Sequence, residues 1–311
     1  MAVPARGRYS VRSGRLGLAR PDREGVAINR IDAKFARLAA EARKGLLPYV
    51  TAGFPSLEAT AEILRRMDRL GVAGVEVGFP YSDSIADGPV IQTSFTRVLE
   101  RGQKVSEILD AIREVRPAID VPLVAMLSFS IVNRIGVDRF FEQAAVAGFD
   151  GLIIPDLSLE EAADVAARAA ARDLRLILLT APTSPRERRE TVARLSTGFV
   201  YYMSVAGTTG ERDRLPDDLA ENVRQLRLAA GKPVVVGFGV SRPEQVRAVC
   251  SVADGAIVGS AIVRRMLEAA DAPGATPASV ADAVESFTSD LMSGLPEETH
   301  GSGPAPVSDR V

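Results

Sequence analysis

The chain has 311 residues, of which 46% are hydrophobic and 25% are charged, as in ordinary globular domains. Its formal net charge of −2 argues against binding to nucleic acid or an anionic membrane, and no apolar run is long enough to span a bilayer. The single cysteine, Cys250, excludes an internal disulfide and favours a cytoplasmic location.

Two residue types that support much of enzyme chemistry are scarce. The only histidine, His300, lies in a polar C-terminal segment, which argues against His-based catalysis and most His-ligated metal sites. The lysines are Lys34, Lys44, Lys104 and Lys232. Catalysis would therefore depend on carboxylates, hydroxyls and backbone amides, and we expect no metal and no cofactor.

The two ends of the chain differ in composition from the middle. Residues 1–20 contain five arginines and no acidic residue, which favours a flexible extension over residues 1–28, with a cleavable presequence as the alternative. From residue 293 onward the chain is rich in Gly, Pro and Ser, which predicts a disordered tail over residues 293–311. We expect a single folded domain over residues 29–292.

Eight short apolar runs alternate with helical segments along this domain. The runs span residues 46–52, 73–79, 121–127, 150–156, 174–181, 198–204, 232–238 and 253–259. Continuous apolar character favours parallel strands that are covered by helices. Eight strand–helix units in about 260 residues predict a single (β/α)8 TIM barrel. A doubly wound open sheet is the alternative, but no G-x-G-x-x-G follows the first run.

Several of the intervening segments carry helix start and stop signals. Ser56 precedes an apolar stripe that ends at Gly71 and comprises Leu57, Ala61, Leu64, Met67 and Leu70. The capping-box spacing predicts three further helix starts, at Ser158, Ser184 and Ser241. Pro185 is expected to be the first helical residue after Ser184.

Two acidic residues are candidates for catalysis, because the active site of such a barrel forms at the carboxyl ends of its strands. Glu76 lies between Val75 and Val77 in the second run, so it points into the barrel if the valines face the helices. Its carboxyl group could be part of a structural ion pair or a general acid or base. Asp87 follows in a Ser/Asp/Gly/Pro loop, either as a turn residue or facing a ligand.

Three glycine-bearing loops follow the last three runs, at residues 207–210, 237–241 and 259–260. Together they offer backbone amides and a helix N-terminus where barrels commonly hold a phosphate. Tyr201 and Tyr202 lie on the strand before the first of these loops, and alternation turns one of them inward. Tyr202 is expected to lie in the core.

Five motifs in this chain resemble those of the tryptophan synthase alpha subunit family in order and spacing. They are PYVTAGFPS, VEVGFPYSDSIADGP, GFVYYMSVAGTTG, VVVGFGVSRPEQV and AIVGSAIV, and the resemblance covers about residues 29–292. It implies a lyase that cleaves indole-3-glycerol phosphate to indole and glyceraldehyde 3-phosphate by acid–base catalysis. The lysines agree with this mechanism, because a Schiff-base aldolase needs a lysine at the barrel mouth, whereas Lys44 and Lys232 lie at the opposite ends of their strands.

The resemblance also implies roles for individual residues. Glu76 would protonate indole C3, Asp87 would accept a hydrogen bond from the indole N–H group, and Tyr201 would lie beside them. The phosphate cradle would comprise Gly210, Gly239, Gly259 and Ser260. The indole pocket would be lined by Ile91, Ile153, Phe238 and Ile257, and Thr209 would belong to a mobile loop.

The chain departs from the family pattern where a β subunit would be expected to dock. Ser128 and Ser130 stand where the family usually has tyrosine and asparagine, and Ser84 stands where proline is usual. These serines either weaken or re-specify docking, as in a stand-alone lyase or a paralogue with another partner, or they are neutral drift. The sequence is also compatible with a substituted indole substrate, with a sugar-phosphate epimerase or isomerase, and with a catalytically silent barrel that activates a partner.

Overall fold

The computed structural model describes residues 28–84, 87–203, 218–237 and 239–296. Within these ranges, nine parallel strands form one continuous sheet. The strands are Gly45–Thr51 (β1), Val75–Gly78 (β2), Leu123–Met126 (β3), Gly151–Ile153 (β4), Arg175–Ile177 (β5), Leu179–Thr180 (β6), Val200–Met203 (β7), Val234–Gly237 (β8) and Gly255–Val258 (β9).

The order of the strands closes the sheet into a barrel. From edge to edge the order is β5-β4-β3-β2-β1-β9-β8-β7-β6, and the two edge strands are separated in sequence only by Leu178. The Leu178 amide donates to the Ser196 hydroxyl at 3.1 Å, and the Leu178 carbonyl accepts the Tyr201 amide at 3.1 Å. At this residue the chain therefore changes from pairing with β4 to pairing with β7. The predicted eight-stranded barrel is therefore confirmed, with its fifth strand divided in two.

Helices cover the outside of the barrel and close one end of it. Those in the described ranges are Arg30–Ala40 (α1), Leu57–Leu70 (α2), Pro89–Leu99 (α3), Val105–Val115 (α4), Phe129–Ile135 (α5), Val137–Ala147 (α6), Leu159–Ala170 (α7), Arg186–Leu195 (α8), Leu219–Ala230 (α9), Pro243–Cys250 (α10), Ser260–Ala270 (α11) and Pro277–Met292 (α12). None of them is both long enough and apolar enough to cross a membrane.

The predicted ends of α2 are confirmed, but its buried face is rotated from the predicted stripe. The Ser56 hydroxyl accepts the Ala59 amide at 3.1 Å, and Gly71 ends the helix with a left-handed φ of 74°. The residues buried on α2 are Ala59, Thr60, Ile63, Leu64 and Met67. The predicted stripe lacks the buried Ile63, and three of its members, Leu57, Ala61 and Leu70, are only half-buried.

One of the three predicted capping serines is confirmed and two are wrong. Ser158 caps α7, because its hydroxyl accepts the Glu161 amide at 3.3 Å. Before α8, Pro185 is the N-cap and the Ser184 hydroxyl instead accepts the Ala181 amide at 3.2 Å. Before α10, the Gln245 side chain accepts the Ser241 amide at 2.8 Å, and the helix begins only at Pro243.

The core has an inner and an outer layer. Inward side chains of the strands pack with Ile31, Phe35 and Leu38 of α1, which close the amino end of the barrel. The outer layer lies between the strands and the surrounding helices and contains Val75 and Val77. Since these valines face outward, alternation turns Glu76 inward, as predicted.

Candidate active site

Glu76 lies inside the barrel on β2, between Tyr49 of β1 and Val124 of β3 in the register of the sheet. It is 1% exposed, and its Oε1 atom has no hydrogen-bond partner among the described residues. Burial raises the pKa of Glu76 to about 8, so the carboxyl group is largely protonated at neutral pH. The structural ion pair that the sequence left open is absent from the described part of the chain. A buried proton donor is therefore available in the barrel.

The loop after β2 holds Asp87 through several backbone contacts. The Asp87 amide donates to the Ser84 carbonyl at 3.0 Å. The Gln92 side-chain amide, from α3, donates to the carbonyls of Ser84 at 2.9 Å and Asp87 at 2.8 Å. The Tyr81 hydroxyl donates to Oδ2 of Asp87 at 3.2 Å. Burial raises the pKa of Asp87 to about 6, while the hydrogen bond from Tyr81 opposes this shift, so Asp87 is mainly ionised at neutral pH.

Two buried tyrosines share this interior with the carboxyl groups. A Cβ atom at Gly78 would overlap the Tyr49 hydroxyl, and one at Gly237 would overlap the Tyr201 hydroxyl, so each ring requires the glycine beneath it. Burial raises the pKa of both hydroxyls well above its usual value, and the nearby charges of Glu76 and Asp87 raise it further. These two acids and two tyrosines therefore lie within electrostatic range of one another.

The predicted assignment of the neighbouring tyrosines is confirmed, whereas Tyr49 was missed. Tyr201 belongs to the inner layer and Tyr202 to the outer layer. Tyr49 lies opposite Glu76 only because of the register between β1 and β2, which spacing along the chain does not provide. The available signal was a tyrosine within an otherwise apolar strand.

The N-terminus of α11 borders the same interior space. Gly259 is the N-cap of this helix and Ser260 its first residue. A Cβ atom at Gly259 would lie 3.9 Å from Cβ of Tyr49 and 4.0 Å from Cδ1 of Ile91, with nothing closer. The first amides of α11 have no intrahelical acceptor, and together with the helix dipole they favour an anion. Gly239 follows β8 with a left-handed φ of 81°.

The remaining predicted pocket residues divide into two groups. Ile153 and Ile257 are buried in the inner layer of the core, and Ile91 is buried in the first turn of α3. Ile91 also approaches Gly259, so an apolar side chain borders the N-terminus of α11. Three predicted site residues lie outside the described residues, namely Thr209, Gly210 and Phe238.

The three serines that depart from the family pattern have different environments. Ser84 and Ser128 are 6% and 5% exposed. The Ser128 hydroxyl accepts the Ser130 amide at 3.1 Å as the cap of α5 and donates to the Asp156 carboxylate at 2.7 Å. Ser130 is exposed and lines a cavity of about 720 Å³ that also borders Tyr81. Only Ser130 is placed to meet a partner directly.

The lysines considered for Schiff-base chemistry lie at the amino end of the barrel, as predicted. Lys44 precedes β1 and lies 3.2 Å from the carboxylate of Asp254, which precedes β9. The Lys232 ammonium donates to the carbonyls of Ala193 and Arg194, at the end of α8. Neither amine is near Glu76, which lies inside the barrel.

The amino-acid sequence matches one family over almost the whole barrel. A sequence model of the family described as "Tryptophan synthase alpha chain" matches residues 35–291. A protein of that name from Prochlorococcus marinus (strain MIT 9313) is 46% identical over 245 residues, which cover 78% of this chain and 88% of the relative. Another from Trichormus variabilis is 41% identical over 266 residues, which cover 85% of this chain and 98% of the relative.

Solved structures agree with the sequence match. A structure of Mycobacterium tuberculosis tryptophan synthase aligns with a TM-score of 0.77 and 32% identity, over 86% of this chain and 98% of that chain. A structure of the tryptophan synthase a2b2 complex from Pyrococcus furiosus aligns with a TM-score of 0.72 and 30% identity, over 80% of this chain and 98% of that chain.

Proposed function

This chain belongs to the tryptophan synthase alpha chain family, and we propose that it cleaves indole-3-glycerol phosphate to indole and glyceraldehyde 3-phosphate. It is thus a carbon–carbon lyase of tryptophan biosynthesis. The observation that carries this proposal is the buried, protonated carboxyl group of Glu76 together with the ionised Asp87, both within electrostatic range of the buried Tyr49 and Tyr201. A retro-aldol cleavage at indole C3 needs a proton donor at carbon and an anion near the ring nitrogen, and these two groups supply them.

The first step is protonation of the substrate. Glu76 donates its proton to indole C3, and the ring nitrogen becomes part of a positively charged iminium group. Asp87, which stays ionised above a pKa of about 6, accepts a hydrogen bond from the N–H group and stabilises that positive charge. The apolar side chains of Ile91, Ile153 and Ile257 orient the flat ring between the two acids.

The second step breaks the carbon–carbon bond and returns the proton. The Glu76 carboxylate removes the proton from the hydroxyl on the carbon attached to C3, and the C–C bond electrons return to the ring as the new carbonyl forms. Indole and glyceraldehyde 3-phosphate result, and Glu76 is again protonated, so that protons and electrons balance. The amides at the N-terminus of α11 bind the phosphate and hold the glycerol chain in position.

We further propose that the chain works with a β subunit, as the related complex from Pyrococcus furiosus is described to do. Ser84 and Ser128 are buried and make internal contacts, so their departure from the family pattern leaves the exposed docking face largely unchanged. The cavity beside Ser130 is lined by Lys104, Arg134 and Arg139, which form no ion pairs within the described ranges. This basic surface suits an acidic segment of the partner.

The substitution Glu76→Gln tests the proposed reaction. It removes the proton donor but keeps the size of the side chain, so release of indole from indole-3-glycerol phosphate should fall at least about a thousandfold. Asp83→Asn is the matched control, because Asp83 is an exposed acid on the neighbouring loop and its loss should leave the rate within about twofold. Retained activity in the Glu76→Gln variant would overturn the proposed mechanism.

A further inference from the structure

Tyr81 lies on the same loop after β2 as Asp87, six residues before it. Its half-buried ring packs on Phe95 of α3, with the ring centroids 5.5 Å apart and tilted by 54°. Its hydroxyl reaches Oδ2 of Asp87 at 3.2 Å. Among the described residues, this is the one side-chain hydrogen bond that the Asp87 carboxylate accepts. The aromatic packing fixes the ring, so the hydroxyl meets Asp87 from a defined direction.

The backbone contacts of Asp87 do not by themselves orient its carboxylate. The bonds to Ser84 and Gln92 hold the main chain of the loop, but they leave rotation about the side-chain bonds free. Fixing Oδ2 on the Tyr81 hydroxyl restricts this rotation and leaves Oδ1 for another donor. We propose that Tyr81 is a positioning residue, whose hydroxyl holds the Asp87 carboxylate so that Oδ1 faces the indole N–H group. This inference rests on the proposed function.

Other ionisable groups lie near Asp87 and Tyr81. Tyr49 and Tyr201 on the strands are within electrostatic range of both Asp87 and Glu76, and Asp156, which follows β4, is within that range of Tyr81. Glu76 offers no hydrogen bond to Asp87 in the described part of the chain, and its proton is needed at indole C3. The Tyr81 hydroxyl also favours the ionised form of Asp87, whose pKa burial raises. Loss of that hydroxyl should therefore weaken both the orientation and the charge of Asp87.

The test removes the hydroxyl and keeps the ring. In Tyr81→Phe, kcat should fall about threefold to tenfold, with KM within about twofold, as expected for the loss of one ordinary hydrogen bond. The acid limb of the kcat/KM profile should move to higher pH, because the pKa of Asp87 rises. Tyr202→Phe is the control, since Tyr202 is a buried tyrosine in the outer layer of the core and its loss should move neither quantity.

A double mutant separates positioning from a purely structural role. In an Asp87→Asn background, Tyr81→Phe should cause no further loss of kcat, because the carboxylate that it positions is gone. An unshifted acid limb, or an equal loss in both backgrounds, would overturn the inference. If Glu76→Gln and Asp87→Asn each strongly reduce kcat while Tyr81→Phe has no effect, only this inference fails. If neither acid is needed, the proposed function itself fails.

Discussion

Glu76 and Asp87 are both buried carboxyl groups, yet they are in different ionisation states at neutral pH. Burial raises the pKa of Glu76 to about 8, and its Oε1 atom has no hydrogen-bond partner among the described residues. Burial also raises the pKa of Asp87, but the Tyr81 hydroxyl opposes the effect and the pKa is about 6. Between these values one group can donate a proton while the other is an anion. The same residue chemistry thus provides an acid and a counter-charge through differences in environment.

These pKa values predict a bell-shaped pH profile. For kcat/KM, activity should rise as Asp87 loses its proton near pH 6 and fall as Glu76 loses its proton near pH 8. Initial rates of indole release between pH 5 and pH 9.5 measure both limbs. Asp87→Asn should abolish the acid limb and keep the alkaline limb. A profile that stays flat from pH 6 to pH 9 would contradict these roles.

The buried Glu76 also makes the stability of the protein depend on pH. Below the unfolded-state pKa, near 4.5, the carboxyl group is protonated in both the folded and the unfolded state, so its ionisation does not change the free energy of unfolding. As the pH rises toward 8, only the unfolded state ionises, so the free energy of unfolding falls. Glu76→Gln should therefore stabilise the fold at pH 8.5 by on the order of 2–4 kcal/mol, and the gain should vanish near pH 4.5. Urea unfolding at both pH values measures this. An equal gain at both would contradict it.

At the scale of elements, hydrogen bonds from Asn29 connect the start of α1 to the amino ends of β4 and β5. The Asn29 side-chain amide donates to the carbonyl of Asp150, which precedes β4, at 3.0 Å, and to that of Asp173 before β5 at 2.6 Å. Its side-chain oxygen caps α1 by accepting the Ile31 amide at 2.9 Å. The buried side chain of Asn29 therefore holds α1 in place, and α1 closes the end of the barrel opposite the site.

Removal of this side chain should separate stability from catalysis. Asn29→Ala removes the N-cap of α1 and the side-chain hydrogen bonds to the carbonyls of Asp150 and Asp173, which should lower the free energy of unfolding by about 2 kcal/mol. At 25 °C kcat should stay within about twofold, because Asn29 lies at the closed end of the barrel. Arg37→Ala on the exposed face of α1 is the control, with an expected change below about 0.5 kcal/mol. A loss of kcat without a loss of stability would show that α1 acts on the site directly.

At the scale of the whole molecule, the sequence predicts best what depends on alternation and composition. The eight apolar runs define the barrel, and alternation correctly turns Glu76 and Tyr201 inward. Contacts that depend on strand register or on the path of a loop could not be predicted from the sequence. The pairing of Tyr49 with Glu76 depends on strand register, and the contact of Tyr81 with Asp87 depends on how the loop folds against α3. The misplaced helix starts near Ser184 and Ser241 have a local origin, because the Ser184 hydroxyl accepts the Ala181 amide and the Gln245 side chain accepts the Ser241 amide.

Whether the chain needs a partner is a property of the whole molecule, and the surface beside Ser130 makes it testable. We expect the purified chain to release indole slowly and to be stimulated at least about tenfold by a bacterial tryptophan synthase β subunit, because docking orders the face that borders the Asp87 loop. Arg134→Glu reverses a charge that has no acidic partner among the described residues, so it should reduce this stimulation and spare the rate of the chain alone. The control is Arg186→Glu on α8, away from this cavity. Fast release that the β subunit does not change would instead identify a stand-alone lyase, and the serine at position 130 would then mark a lost interface.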